Sequence, residues 1–143
     1  MSKKQIQLIT SEETIVNKIY FIRGQKVMLD KDLAGLYGVL TGNLNKAVKR
    51  NLNRFPAHYM FQLTREEYNA LRFQFGILKK GQHAKYLPHA FTEHGILQLA
   101  NVLQSDRATQ MSIRIIDVFI KMREMLSSHK DILLKLEQLE KNS

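Results

Sequence analysis

The sequence predicts an α+β fold: a small antiparallel sheet opened by an N-terminal hairpin, a helix-turn-helix-like pair, and a long C-terminal helix. Three observations lead there. Residues 17–30, NKIYFIRGQKVMLD, place two short runs rich in Ile, Tyr, Phe, Val and Leu on either side of a glycine-containing turn. Residues 41–55 carry Leu44, Ala47, Val48, Leu52 and Phe55, an apolar stripe of helical period. From Met111 onward apolar residues recur at alternating spacings of four and three, the pattern of a helical seam.

The elements follow in order. Residues 1–14 are polar and read as a flexible lead. The hairpin turns over Arg23-Gly24-Gln25-Lys26, where Gly24 can supply a positive φ. Asp30 is expected to cap a short helix through Leu33, Ala34, Leu36 and Tyr37, and Gly38 to end it. Thr41 caps the next helix, which should run to about Phe55 and stop before Pro56. Residues 58–64, HYMFQLT, read as a strand. Thr64 and Glu67 form a capping box, so a helix should cover roughly Arg65 to Phe73. Residues 76–83, GILKKGQH, read as a loop. AKYLPHAF, residues 84–91, reads as a strand that Pro88 would place at an edge or a bulge. Thr92 caps a helix through Leu103, and a break at Ser105-Asp106 leads into the last helix. If that helix runs from about 107 to 140, it spans roughly 50 Å. This divides the chain into a lead (1–14), a domain (15–126) and a helical, coiled-coil-like tail (127–143). The final Glu140-Lys141-Asn142-Ser143 carries no stop signal and reads as a tail cut short.

Composition bounds the function. With 143 residues, 44% apolar and 24% charged, the chain has the size and mix of one globular domain. No run approaches 18 uncharged apolar residues, and the first residues lack an apolar signal core. A cytoplasmic location, in a bacterium or a phage-infected cell, is the expectation, with no membrane partner. Cysteine is absent, which removes disulfides, thiol catalysis and cysteine-rich zinc sites. The net charge is +9, and it is concentrated. Residues 33–92 hold nine basic side chains (Lys46, Lys49, Arg50, Arg54, Arg65, Arg72, Lys79, Lys80 and Lys85) against two acids, Glu66 and Glu67. The remaining residues are nearly balanced. A basic middle between near-neutral ends fits a face for a polyanion, though a solvated lysine-rich surface fits the charge equally well.

Residues 30–55 narrow the choice. Ala34 and Gly38, four apart, leave room for a second helix to pack across the first, as in a helix-turn-helix. The faces of that second helix away from its apolar stripe hold Asn43, Asn45, Lys46, Lys49, Arg50, Asn53 and Arg54. Arginine and lysine bond guanine O6/N7 or phosphates, and asparagine bonds adenine N6/N7, so this set suits a major-groove helix. No acid interrupts residues 33–65, whereas a merely structural helix mixes signs to gain i, i+4 pairs. Arg23 and Lys26 at the hairpin turn, and Lys79 and Lys80 in the loop, are candidates for flanking phosphates. Tyr86, Phe91, Phe73 and Phe75, interleaved with basic residues, leave an RNA-stacking alternative open.

Three strings, IYFIRGQKVMLDKDLAGLYGV, NLNKAVKRNLNRFPAHYMFQLTREEYNAL and YLPHAFTEHGILQLANVLQSDRA, resemble the KilA-N DNA-binding domain family. They look most like its branch at the N-terminus of phage antirepressor-type proteins and their prophage-derived bacterial relatives. The likeness spans roughly residues 15–125. It implies a compact α+β domain that binds DNA in phage or bacterial regulation. No base-reading residues transfer from the family, so the candidate site rests on charge and helix pattern.

The tail predicts self-association. Met111, Ile115, Val118, Met122, Met125, His129, Ile132, Leu136 and Leu139 fall in one heptad register. Apolar neighbours up to Leu126 predict that the first half also packs on the domain. Met122, Met125, His129, Ile132, Leu136 and Leu139 are the candidate oligomerisation residues, with His129 a polar seam position that can fix register. Two reading heads in a dimer would favour a two-fold symmetric site. No chemistry is expected. His89 and His94 flank Glu93 at a spacing unsuited to two ligands on one helix face, and no metal-binding or nucleophile motif accompanies them. The expectation is a non-enzymatic DNA-binding regulator without metal or cofactor, acting as a homodimer or higher oligomer. The competing reading is an antirepressor-like module that binds another protein through the tail and basic face.

Overall fold

The computed structural model describes residues 12–74 and 86–141. A helical segment over residues 12–17 (α1) leads into strands β1 (Ile19–Ile22) and β2 (Gln25–Leu29). Helices α2 (Asp30–Tyr37) and α3 (Thr41–Arg50) follow, then a single 3-10 turn (Leu52–Arg54) and strand β3 (Met60–Gln62). Helix α4 (Arg65–Gln74), strand β4 (His89–Phe91), helix α5 (Glu93–Leu103) and helix α6 (Asp106–Lys141) complete the chain. Residues 12–14, expected in the flexible lead, are helical; α1 is seated by Ile15, which is buried.

The sheet is antiparallel throughout, in the order β1-β2-β4-β3. The hairpin turns on two residues, Arg23 (φ 54°) and Gly24 (φ 74°), and not on four. Two consecutive positive φ values match the right-handed twist of the flanking strands. Gln25 and Lys26 therefore belong to β2, opposite Ile22 and Phe21. β4 is a central strand. Only His89–Phe91 pair, and Pro88 stands just before them, where its missing N–H breaks no ladder; its carbonyl accepts from the Leu63 N–H at 2.9 Å.

Alternation along the strands feeds two cores. Val27, Leu29, Phe61 and Ala90 face one way, with Ile22 and Leu63, and α4 covers them through Tyr68 and Leu71. Met28 and Phe91 face the other way, into a larger core with Leu33, Ala34, Tyr37, Leu44, Val48, Ile96, Leu99, Ile115 and Phe119. That core is built by α2, α3, α5 and the first half of α6. Phe91, expected as a stacking candidate, is wholly buried there, with Phe55 edge-on at 5.9 Å.

Caps explain most helix bounds. Gly38 closes α2 in the left-handed conformation (φ 71°), which costs glycine nothing. Thr64 and Glu67 form the capping box of α4: the Glu67 N–H donates to Thr64 Oγ1 (3.1 Å), and the Thr64 N–H to Glu67 Oε1 (2.8 Å). Thr92 Oγ1 accepts from the Gly95 N–H of α5, and Ser105 Oγ from the Ala108 N–H of α6. Two expected caps differ. Asp30 and Thr41 are the first residues inside their helices, and Leu29 and Leu40 hold the cap positions. Helix α3 also ends five residues early. At Asn51 the backbone leaves helical angles (φ −127°) while its side-chain amide donates back to the Ala47 carbonyl at 2.9 Å. Leu52 is consequently exposed, and the 3-10 turn returns Phe55 to the core.

Candidate nucleic-acid interface

Helix α3 is held by Leu44 and Val48, both buried, and is joined to α2 by the three residues Gly38 to Leu40. With those two inward, helical geometry sends Asn43, Lys46 and Arg50 (i, i+3, i+7) along the opposite side, with Lys49 on its flank. All four are exposed. None of Lys46, Lys49 and Arg50 has a hydrogen bond or ion pair with another described residue. Four cations elsewhere are matched to acids: Lys18 to Asp32 (3.5 Å), Arg23 to Glu67, Lys121 to Glu12 (2.8 Å) and Arg123 to Glu93. Unpaired cations side by side repel one another, so the α3 face is electrostatically unfinished within the chain.

The other candidates separate. Asn53 and Arg54 are exposed but lie on the 3-10 turn, off the helical face expected for them. Asn45 points elsewhere: its amide donates to Asp30 Oδ2 (3.1 Å) and to the Tyr86 hydroxyl (2.9 Å). Arg23 grips Glu67 with two hydrogen bonds, 2.8 and 3.0 Å, and lies 4.1 Å over the Phe61 ring. It ties the hairpin turn to α4, and Glu67 is lowered to about pKa 2 by that guanidinium and the Thr64 N–H. Lys26 is half-buried on β2. Lys79 and Lys80 lie outside the described residues.

One cluster has no forerunner in the sequence reading. Asp30 is completely buried, and four donors converge on its carboxylate: the Tyr86 hydroxyl (2.6 Å), the Asn45 amide, the His89 N–H (3.3 Å) and the Lys31 N–H (2.7 Å). Tyr86 also meets His89 Nδ1 at 2.8 Å. Burial raises the Asp30 carboxyl, but the bonds from His89, Tyr86 and Asn45 outweigh it, so the group is lowered and stays charged. Burial and the Asp30 charge push the Tyr86 hydroxyl up, leaving it a donor. The network fastens the start of α2, the side of α3 and the start of β4 to one another. Among the described residues no three His, Cys, Asp or Glu side chains converge to hold a metal.

A scan against family models matches the ORF6N domain over residues 17–102. The chain belongs to the ORF6N domain family. The match is to ORF6N, and it does not itself show the finer likeness to the KilA-N family drawn from the motifs. The coarser expectation stands, since ORF6N domains are associated with phage and prophage antirepressors. No curated protein and no solved structure matches. The ORF6N match takes in the hairpin, α2, α3, α4, β4 and nearly all of α5, and so includes both the basic α3 face and the Asp30 network.

The ORF6N match ends before α6. The first half of α6 packs on the domain through Ala108, Ile115, Val118 and Phe119, with Met111 and Met122 half-buried. Tyr37 locks it to α2 through a 2.8 Å hydrogen bond to Ser112. From Met125 on the helix is exposed all round, including Ile132, Leu136 and Leu139, each more than half exposed. No helix among the described residues is long and apolar enough to cross a membrane.

Proposed function

We propose that this ORF6N protein is a non-enzymatic, DNA-binding regulator of phage or prophage type that reads duplex DNA with α3. The unpaired, exposed row of Lys46, Lys49 and Arg50 carries the reading, because it stands on one helix within a segment, residues 33–65, that holds no acid to match it. Asn43 and the three cations would enter the major groove, and Arg54 would take a flanking phosphate. Asn45 serves by holding α3 to Asp30. Beyond Met125 the apolar stripe of α6 is proposed to pair with a second copy, giving two heads on a symmetric site. Such a protein acts in the cytoplasm of a bacterium or infected cell.

Fluorescence anisotropy on a mixed-sequence duplex from 50 to 300 mM salt tests this. Phosphate contacts from Lys46, Lys49, Arg50 and Arg54 give a log–log slope of about −3.6 for one head and about twice that for two. Lys49→Ala with Arg50→Ala should make the slope shallower by about 1.8 per head. Unchanged binding by the folded double variant removes α3 from the interface.

A second reading is favoured by the uncovered apolar stripe of α6 and the antirepressor association of the family. In it the tail and basic face bind another protein, such as an acidic repressor. That reading gives tight protein binding with weak, sequence-blind DNA association.

A further inference from the structure

We infer that Arg107, at the root of α6 and outside the matched ORF6N segment, extends the DNA-contacting surface as a phosphate clamp beside the helix-turn-helix turn. The inference rests on the DNA-binding reading of α3 and adds a residue from another element. Among the described residues, most arginines are spoken for. Arg23 and Arg123 hold carboxylates, Arg72 lies over the Tyr68 ring, and Arg65 and Arg114 have partners. Arg50, Arg54 and Arg107 have none. Two of these three belong to the α3 region by sequence; the third arrives there by folding. Ala108 and Ser112 face the core and fix the first turn of α6 against α2, which leaves Arg107 exposed. Its guanidinium packs close against Gly38: a Cβ at that position would stand 2.7 Å from the guanidinium carbon. Gly38 begins the turn between α2 and α3, so an unpaired, always-charged planar fork is parked where the pair would meet a phosphate backbone. Nothing in the sequence near α3 announces it, since 69 positions separate Gly38 from Arg107.

The test is the salt dependence of duplex binding by Arg107→Gln, Arg107→Lys and the Lys49→Ala/Arg50→Ala variant, measured side by side with the unmodified chain. Each phosphate contact contributes about 0.9 to the slope, or roughly 3.5-fold of affinity between 50 and 200 mM salt. Arg107→Gln should make the slope shallower by about 0.9 per head and weaken binding alike on different sequences; Arg107→Lys should restore the slope. A slope unchanged by Arg107→Gln, with Lys49→Ala/Arg50→Ala shallower, overturns the inference and leaves the α3 reading standing. Slopes unchanged in all variants overturn both.

Discussion

Replacing Asp30 by alanine removes the one acceptor that Tyr86, Asn45, His89 and Lys31 share. Hydrogen bonds to a charged group contribute about 1.5–3 kcal/mol each, which overstates the sum here for two reasons. Tyr86 and Asn45 are not fully buried, so water can replace the lost acceptor. Removing the carboxylate also relieves the cost of burying it. A net loss of roughly 3–4 kcal/mol remains. With an unfolding entropy near 2.1 cal/mol/K per residue, this lowers Tm by about 10 °C. Urea denaturation followed by circular dichroism, at one protein concentration, measures it. Tyr86→Phe alone should cost about 1 kcal/mol, and close to nothing in the Asp30→Ala background, because both changes break the same network. The variant should also bind duplex DNA more weakly under conditions where it remains folded, since Asn45 no longer braces α3. An Asp30→Ala loss below about 1 kcal/mol, or strictly additive losses with Tyr86→Phe, would refute the assignment of Asp30 as the hub.

Further outcomes are expected elsewhere in the molecule. Glu67, held near pKa 2 against an unfolded value of about 4.3, contributes stability that is complete above pH ~4.3 and fades as pH falls toward 2. Because the Arg23 pair is solvent-accessible, Arg23→Gln should lower the urea midpoint only slightly at pH 7, and by less at pH 2, where about half of Glu67 is protonated. A Cβ on Gly95 would run into the Tyr59 carbonyl oxygen, so Gly95→Ala should destabilise by about 3 kcal/mol; a melt like that of the unmodified chain would contradict the close approach. Ile132→Lys with Leu136→Lys should leave the melting of the domain within about 0.5 kcal/mol, convert the protein to a monomer in sedimentation, and halve the salt slope of DNA binding.

Local chemistry made most of the fold legible. The capping box at Thr64–Glu67, the Thr92 cap and the Gly38 terminus each depend on residues within a few positions, and each stands where expected. Errors arose where a distant partner decides. Pro88 signalled an edge, but only an N–H inside a ladder is lost to proline, and the pairing begins one residue later. Asp30 has the composition of a cap, yet its carboxylate is claimed by Tyr86 and Asn45, 56 and 15 positions away. The same holds for the candidate site. The period of Leu44 and Val48 predicts which α3 residues face out. It cannot tell that Asn45 is taken by Asp30 or that Arg23 is taken by Glu67.

The heptad register of α6 gains its meaning from where burial stops. Ile115 and Val118 fill the core, Met122 is half-covered, and Met125 is 71% exposed, with no shift of register between them. The domain therefore covers the seam for its first part and leaves the rest of the same stripe exposed. A pair formed there would be built on the very helix whose base abuts Gly38 and is bonded to Tyr37 of α2. The spacing of two α3 helices on DNA would then be fixed by a continuous helix with no linker, and a dimer of this kind would tolerate little variation in half-site separation. A flexible connection between tail and domain would tolerate much more.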